Sequence, residues 1–389
     1  MFRSVPCLRD PSIIIVAPIR LTFYDLASSS PRKIKPSALP LVVVIIISSS
    51  TIYLYYQCNF GRFNRSFYSN RIIEEGLYSN STLRSRPKIR KLPEAIIVGA
   101  RKSGTRALLK FLEINHRVSP AQSEIHFFDK PQNYKLGLDW YRSKMPLSYE
   151  DSLTIEKSPA YFVTKGVPDR IKQMNPDIRL ILVLRDPVKR LISDFSQLIA
   201  NRIEVANEES ENYRYYPHED YNMRAPNNTE NEHWEKAKQE FEDYVIRRDG
   251  GIDDRRSAIK TGMYSTHLER WLFQFNLSQI HVVDGEALIK NPCEELNRLE
   301  RFLSLEPMIK PEHFVYNRQK GFYCISPSGI PKRDSLNHAN GTSLCLSRSK
   351  GRRHVQVDKY LANKLSRFYE PYNNYLYSII GRKFDWITN

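Results

Sequence analysis

The feature that most constrains the fold is a short apolar run that ends in a loop bounded by glycines. Residues 94–98 have the composition of a buried strand, residues 99–104 form a tight loop, and an amphipathic helix is predicted from Thr105 to Asn115. Strand, loop and helix in this order are typical of an open α/β sheet, in which ligands bind where the strands end. The sequence therefore predicts a ligand-binding loop near residue 100.

Two further segments repeat the pattern of an apolar strand followed by a helix. Residues 179–184 are almost continuously apolar and precede a predicted helix from Pro187 to Ala200. A strand over residues 281–283 precedes predicted helices at 286–289 and 294–303. Strands without polar alternation are buried on both faces. We therefore predict an α/β fold with a central, mostly parallel sheet flanked by helices.

An uncharged segment near the N-terminus predicts a single transmembrane helix. Residues 36–61 carry no charge, and at about 1.5 Å per residue such a helix exceeds the roughly 30 Å hydrocarbon core. Arg32, Lys33 and Lys35 precede it and orient the N-terminus to the cytosol. A cleaved signal peptide is the alternative, but the segment begins late and lacks a small-x-small cleavage site.

The anchor divides the rest of the chain into predicted regions. We expect a cytosolic tail over 1–35, a transmembrane signal anchor over 36–61, a lumenal stem over 62–92 and an ordered domain over 93–389. Residues 201–232 are polar and rich in tyrosine, and they have the composition of a surface insertion. Five glycosylation sequons fall on the lumenal side of the anchor. They begin at Asn64, Asn80, Asn227, Asn276 and Asn340.

Charge and cysteine content narrow the partners and the compartment. The net charge of +16 favours a polyanion, which the charge alone leaves open among nucleic acid, anionic lipid and acidic polysaccharide. Cys324 and Cys345 bound a stretch rich in Gly, Pro, Ser and Asn, where an oxidising lumen would permit a disulfide. The alternative is two unrelated thiols. Cys293 is expected to be a buried free thiol, and whether Cys58 links two chains is left open.

Two segments have the residues of an anion site. Gly99 and Gly104 have the spacing of a phosphate-binding loop, but Thr105-Arg106 follows Gly104, where the magnesium-binding P-loop has a lysine and then a serine or threonine. Lys102 lies inside the loop, which suits an anion neutralised by basic side chains alone. Arg185 leaves the end of a predicted strand, and Ser193 follows two helical turns later. Each segment also admits a reading without a ligand, but two phosphate-type sites favour a nucleotide bisphosphate.

These segments, taken together, resemble the heparan sulfate glucosamine 3-O-sulfotransferases, which use the sulfuryl donor PAPS. The resemblance extends from about Pro93 to Trp386. It rests on residues 99–109, Glu124-Ile-His-Phe-Phe-Asp129, Glu156-Lys-Ser-Pro-Ala-Tyr-Phe162, Lys320-Gly-Phe-Tyr-Cys324 and Ser349-Lys-Gly-Arg352. It implies a P-loop-like sulfotransferase fold, a Golgi membrane protein of type II topology, and transfer to the 3-hydroxyl of glucosamine in heparan sulfate.

The resemblance also implies roles for individual residues. Glu124 would be the general base, with Lys102, Lys157 and His126 completing the catalytic set. The PAPS-binding residues would be Lys102, Ser103, Gly104, Thr105, Arg106, Arg185, Ser193, Lys350, Gly351, Arg352, Arg353 and His354. The saccharide cleft would contain Arg101, Glu124, Ile125, His126, Phe127, Phe128, Asp129, Lys130, Lys157, Ser158, Pro159, Ala160, Gln197, Trp271, Leu272 and Lys350. No metal is implied, and we find no H-x-x-x-H motif or carboxylate cluster.

Some departures and alternatives remain. Some relatives have a histidine where this chain has Ser347, so altered saccharide contacts are expected there, and the 201–232 insertion could reshape one rim of the cleft. Another carbohydrate sulfotransferase, acting at a different oxygen or on the glucosamine nitrogen, is the nearest alternative. An inactive heparin-binding membrane protein is the non-enzymatic alternative. The absence of a lysine-hydroxyl pair after Gly104 disfavours a P-loop NTPase. The predicted lumenal topology disfavours a nucleic-acid binder. The sequence leaves the oligomeric state open.

Overall fold

The computed structural model describes residues 87–207, 230–330, 343–346 and 353–386. The predicted tail, anchor and nearly all of the stem lie outside these residues, as do four of the five sequons. Within the described ranges, no helix combines the length and the apolar composition needed to cross a bilayer.

The centre of the fold is a sheet of parallel strands, as the sequence predicts. The strands lie in the order β2-β3-β1-β4-β5, and each neighbouring pair is parallel. Ala95 of the central strand aligns with Ile155 on one side and with Arg179 on the other. The bounds are Ala95–Gly99 (β1), Val118–Pro120 (β2), Leu153–Lys157 (β3), Arg179–Leu184 (β4) and Ile280–Asp284 (β5).

Helices cover both faces of this sheet. Eleven of them lie within the described residues, together with 3-10 turns at Leu277–Gln279, Pro311–His313 and Pro327–Gly329. They are Thr105–Leu112 (α1), Pro131–Tyr134 (α2), Gly137–Ser143 (α3), Val167–Met174 (α4), Pro187–Asn207 (α5), Glu230–Val245 (α6), Ser257–Thr261 (α7), Tyr264–Leu272 (α8), Gly285–Lys290 (α9), Pro292–Phe302 (α10) and Lys359–Ile380 (α11).

The core follows from the two faces of the strands. Ile96 and Val98 of β1 point into a cluster of aromatic and aliphatic side chains that includes Trp271 of α8. Ala95 and Ile97 point to the opposite face, where α1 and α10 pack. Both faces of β1 are therefore buried, which explains why this strand shows no polar alternation.

The strand order places a crevice between β1 and β4. The chain leaves β1 toward β2 on one side of the sheet and leaves β4 toward β5 on the other. Such a switch in direction opens a crevice at the carboxyl ends of the strands, where α/β proteins bind ligands. The loop after Gly99 and the arginine after Leu184 both lie at this crevice.

The structure corrects two predicted boundaries. Helix α1 ends at Leu112, three residues before the predicted end. Helix α5 continues to Asn207, seven residues into the predicted 201–232 insertion. Asn201 and Ile203 are buried, and Ile203 packs with Trp234 of α6. The beginning of the segment therefore belongs to the core, while 208–229 lies outside the described residues.

The predicted disulfide is confirmed. Cys324 and Cys345 are bonded, with their Cα atoms 4.5 Å apart. Cys324 lies in an antiparallel hairpin of Phe314–Asn317 (β6) and Phe322–Ile325 (β7), which the sequence reading did not predict. Cys293 is a buried free thiol, as expected.

We expect Gly99→Ala to destabilise the fold. A Cβ atom at this position would lie 2.5 Å from the Phe162 Cβ and 3.3 Å from the Pro159 carbonyl oxygen. Overpacking of this kind costs about 1–3 kcal/mol of unfolding free energy, which urea denaturation measures. Gly321→Asn is the control, because a Cβ there meets nothing within 4 Å and Asn tolerates its positive φ. Equal losses in the two variants would contradict the packing argument.

Candidate active site

The loop after β1 presents backbone and side-chain donors at the crevice. Lys102 and Gly104 have positive φ angles of 69° and 106°, and they turn the chain sharply into α1. The first turn of a helix has unpaired N–H groups and a partial positive charge, which together attract an anion. The Ser103 hydroxyl is buried, and no described residue gives it a well-formed hydrogen bond. This arrangement fits a phosphate or a sulfate group.

Helix α5 holds the two cations of this loop. Arg101 donates from Nε to Asp194 Oδ1 at 2.9 Å, and Lys102 donates from Nζ to Gln197 Oε1 at 2.9 Å. The other carboxylate oxygen of Asp194 accepts from Arg190 at 2.9 Å. Arg190 is fully buried and also donates to the carbonyl of Ala258. The loop is therefore fixed to a rigid helix by charged hydrogen bonds.

The loop after β1 and the end of β4 meet at a glycine. A Cβ atom on Gly285 would lie 2.7 Å from the Ser103 carbonyl oxygen and 2.8 Å from that of Leu184. Arg185 follows Leu184 in the chain and donates from Nε to Glu286 Oε1 at 2.7 Å. The Arg185 carbonyl accepts from the Tyr264 hydroxyl at 2.8 Å. The two predicted anion-binding segments are therefore neighbours.

The remaining predicted PAPS residues are less fully described. Ser193 lies on α5 next to Asp194 and is 8% exposed. Arg353 is exposed, and its guanidinium lies 5.5 Å from the ring centroid of Trp234. The Val355 N–H donates to Ser196 Oγ at 3.0 Å, which attaches the segment after His354 to α5. Lys350, Gly351 and Arg352 lie outside the described residues.

The predicted catalytic residues form one hydrogen-bonded group. Glu124 accepts from the Lys157 ammonium through Oε1, and its Oε2 lies 3.5 Å from His126 Nε2. The other ring nitrogen of His126 lies 2.8 Å from Asp129 Oδ2. Glu124 follows β2 and Lys157 ends β3, so the group lies at the same sheet edge as the anion loop. Lys157 is also close enough to Arg106, on α1, for the two charges to interact.

These contacts set the protonation states. Burial opposes the ionisation of Glu124, but His126 and Lys157 outweigh it and lower the pKa of Glu124 to about 2. Asp129 and then Glu124 raise the pKa of His126 to about 9. Burial lowers the pKa of Lys157, although Glu124 opposes that shift. At neutral pH the site therefore holds an ionised carboxylate and a protonated imidazole.

The predicted saccharide residues divide into exposed and buried groups. Side chains that are at least partly exposed are those of Arg101, Glu124, His126, Asp129, Lys130, Ala160, Gln197 and Leu272. Buried side chains are those of Ile125, Phe127, Phe128, Lys157, Ser158, Pro159 and Trp271. The exposed group can contact a ligand directly, whereas most of the buried group supports the cleft from behind.

Trp271 requires a correction. Its side chain is 1% exposed, and its indole N–H donates to the Phe162 carbonyl at 3.1 Å. The ring also stacks on Phe275, with 6.1 Å between centroids. An indole with a satisfied N–H inside an aromatic cluster is a core residue, so a direct contact with saccharide does not fit its position.

Among the described ranges, no group of three or more His, Cys, Asp or Glu side chains is arranged to hold a metal ion. The charged side chains at the crevice are the lysines, arginines and carboxylates described above.

Comparison with known proteins identifies the family. Residues 92–378 match the model of the sulfotransferase domain. Human heparan sulfate glucosamine 3-O-sulfotransferase 5 is 39% identical over 312 residues, which cover 80% of this chain and 79% of that protein. The chain belongs to the heparan sulfate glucosamine 3-O-sulfotransferase family.

This sulfotransferase is also 37% identical over 307 residues to human heparan sulfate glucosamine 3-O-sulfotransferase 6, covering 78% of this chain and 76% of the relative. A solved sulfotransferase from Alicyclobacillus acidocaldarius aligns with 76% of this chain and 99% of its own, at 18% identity and a TM-score of 0.49.

Sequence reasoning missed several residues that hold the site of this sulfotransferase. Asp194 and Glu286 neutralise Arg101 and Arg185 from 93 and 101 positions away, so no local pattern announces them. Gly285 lies at the start of α9, and only the three-dimensional packing shows why a side chain is excluded there. The sequence predicts a helix that starts at Glu286, but it does not predict that Glu286 pairs with Arg185.

We expect the stability of this sulfotransferase to fall as pH rises toward 9. The folded-state pKa of His126, about 9, exceeds its ordinary 6.5. Its contribution is therefore fully present below pH 6.5 and is lost as pH rises through 9. Thermal unfolding measured from pH 6 to 10 should show this loss in the wild type and a smaller one in His126→Gln. An identical pH dependence in both proteins would contradict the assignment.

Proposed function

We propose that this protein transfers a sulfuryl group from PAPS to the 3-hydroxyl of glucosamine residues in heparan sulfate by in-line displacement. The observation that carries the proposal is the joining of two half-sites at one sheet edge. An anion-binding loop with Lys102 lies at the end of β1, and a carboxylate held by Lys157 and His126 lies at the neighbouring strands. A donor and an acceptor can therefore meet between them.

The residues of the crevice fit a nucleotide that carries two phosphate groups. Lys102, Ser103 and the α1 N-terminus suit the 5′-phosphosulfate. Arg185 and Ser193 suit the 3′-phosphate, with Arg353 and His354 on the adjoining segment. PAPS supplies the sulfuryl group. Lys102 stabilises the negative charge that develops on the leaving phosphate, an effect that is strongest where water is excluded.

On the acceptor side, Glu124 takes the proton from the attacking hydroxyl. Its low pKa keeps it ionised at neutral pH, although a base with a pKa of about 2 is a weak one. Both groups that lower this pKa are hydrogen-bond donors. An acceptor hydroxyl that replaces either donor restores some of the basicity of the carboxylate. When the donor replaced is Lys157, its ammonium can stabilise the transferring group.

His126 orients the base. Its imidazolium bridges Glu124 and Asp129, so the ring and the carboxylate fix each other's position. A protonated imidazole is also a donor for the oxygens of an acidic saccharide. His126 therefore acts as a positioning and binding group, and proton removal is assigned to Glu124.

The choice of heparan sulfate rests on two observations. The relatives named above are heparan sulfate glucosamine 3-O-sulfotransferases. The net charge of +16 also favours a polyanionic acceptor. The ion pairs and hydrogen bonds of Glu124, Lys157 and Lys102 disfavour the alternative of an inactive heparin-binding protein, because each proposed catalytic side chain is held at the crevice.

We further propose that the domain lies in the Golgi lumen behind the predicted 36–61 anchor. The Cys324–Cys345 disulfide supports an oxidising compartment. Asn276 supports it too, because this sequon residue is exposed and therefore accessible to glycosylation. Cys58, the remaining sequons and the anchor lie outside the described residues.

Asn276→Gln should remove one N-glycan from the protein expressed in animal cells. Loss of a glycan appears as a faster band on a denaturing gel, and glycosidase treatment should abolish the difference. Asn297→Gln is the control, because Asn297 is not in a sequon. If the wild type shows no glycosidase-sensitive shift and is degraded by protease added to intact microsomes, the lumenal placement is wrong.

Glu124→Gln should abolish most sulfuryl transfer while leaving nucleotide binding intact. Loss of a general base typically reduces the rate about 10²- to 10⁴-fold. Transfer of labelled sulfate from PAPS to heparan sulfate, followed by disaccharide analysis, measures the rate and the position of the product. PAP affinity measured by calorimetry reports the integrity of the other half-site.

Glu113→Gln is the matched control, because Glu113 pairs with Lys110 near the end of α1 and is not among the proposed site residues. Sulfate found at another position of the product would keep the reaction class but refute the 3-O specificity. Binding of PAP and heparin by the wild type without transfer would refute the enzymatic proposal.

A further inference from the structure

The segment that carries the proposed base has no regular secondary structure. Residues 124–130 lie between β2 and α2, and His126 has a positive φ of 53°. A non-glycine residue in this conformation is strained, so the surroundings must hold it. The accuracy of the Glu124 position therefore depends on what binds the backbone of its neighbours.

Two consecutive backbone N–H groups of this segment are bound by side chains that follow β3. The His126 N–H donates to Ser158 Oγ at 3.1 Å, and the Phe127 N–H donates to the Tyr161 hydroxyl at 2.9 Å.

Glu156 is the centre of this arrangement. Its carboxylate accepts from the Ser158 hydroxyl, and the Ser158 oxygen in turn accepts from the His126 N–H, so Glu156 orients the hydroxyl that holds the segment. Tyr141 of α3 donates to its second oxygen at 3.3 Å. Glu156 is fully buried and cannot reach a ligand itself. A buried carboxylate is costly unless its hydrogen bonds are satisfied, and here the hydroxyls of Ser158 and Tyr141 are the donors.

We propose that Glu156 is a positioning residue for sulfuryl transfer, which holds the Glu124–Asp129 segment in the conformation that aims Glu124 at the acceptor hydroxyl. It acts through Ser158, whose oxygen accepts from the His126 N–H, and its burial keeps it out of contact with donor and acceptor. The inference rests on the proposed role of Glu124 as the base.

The titration of Glu156 supports this role. Burial raises the pKa of Glu156 to about 7, against the hydrogen bond from the Ser158 hydroxyl, which lowers it. The titratable groups that face it are Tyr141 from α3, Lys157 from β3 and Tyr161 from the turn after β3. Burial raises both tyrosine pKa values, so neither tyrosine ionises near neutral pH. Protonation of Glu156 below about pH 7 removes part of its acceptor capacity.

Glu156→Gln in the full-length protein tests the proposal, because the amide keeps the shape and removes the charge. We expect kcat to fall about 10- to 100-fold, the range caused by small misplacements of a catalytic group. PAP affinity should stay unchanged, since the anion loop is held by α5. The wild type should also lose kcat as pH falls through about 7, and the variant should lack this step.

Glu300→Gln is the matched control. Glu300 is equally buried and accepts from the Asn115 side chain at 2.8 Å and the Met308 N–H at 3.1 Å, away from the crevice. It should lower thermal stability and leave kcat and its pH profile unchanged. If Glu156→Gln behaves like Glu300→Gln, or if PAP affinity falls together with kcat, the positioning role is wrong.

Glu124→Gln, measured beside these variants, keeps the two proposals apart. Full turnover in Glu124→Gln would refute the base itself. Lost turnover in Glu124→Gln with full turnover in Glu156→Gln would refute only the positioning role.

Discussion

The site depends on the parallel pairing of β1 with strands on both of its sides. Because β3, β1 and β4 run in the same direction, their last residues reach the same edge of the sheet. Lys157 ends β3, the anion loop follows β1, and Arg185 follows β4. Four separate stretches of sequence, including the one after β2 that carries Glu124, are thus brought together without any of them being adjacent in the chain. The helices contribute mainly by holding the side chains that lie at the ends of the strands, as α5 holds Arg101 and Lys102.

The strands that were predicted and those that were missed differ in a physical way. β1 and β4 are nearly continuous apolar runs, and β5 contains Val282 and Val283, so these strands can be read from composition. β3 contains Thr154, Glu156 and Lys157, yet all five of its residues are buried. Partners outside the strand satisfy these polar groups, such as Tyr141 for Glu156 and Glu124 for Lys157, and no alternation of apolar and polar residues reveals them. Helix α11 was also not predicted. It contains Pro371, and its buried face becomes evident from its packing against α5 and α8.

The site itself was predictable to a similar extent. The anion loop and Arg185 follow from residue type and position, and the Glu124 group follows from family resemblance. What the sequence does not contain is the set of contacts that hold these side chains, such as Asp194 on Arg101 and Ser158 on the His126 N–H. Trp271 shows the opposite error, since an aromatic residue expected in a saccharide cleft lies in the core. In both cases tertiary packing determines where the side chain lies, and the residue type alone does not.

Helix α5 has a consequence for how the length of this chain can vary. Arg190, Asp194 and Gln197 lie on one side of the helix because their separations match its turns. Inserting or deleting one residue in α5 before Arg190 would rotate this side by about 100° and detach Arg101 and Lys102 together. Beyond Ile203, an added residue would leave those contacts in place. A change of length is therefore compatible with these contacts beyond Ile203 but not before Arg190, and the loop after β1, 93 and 95 positions earlier, sets that limit.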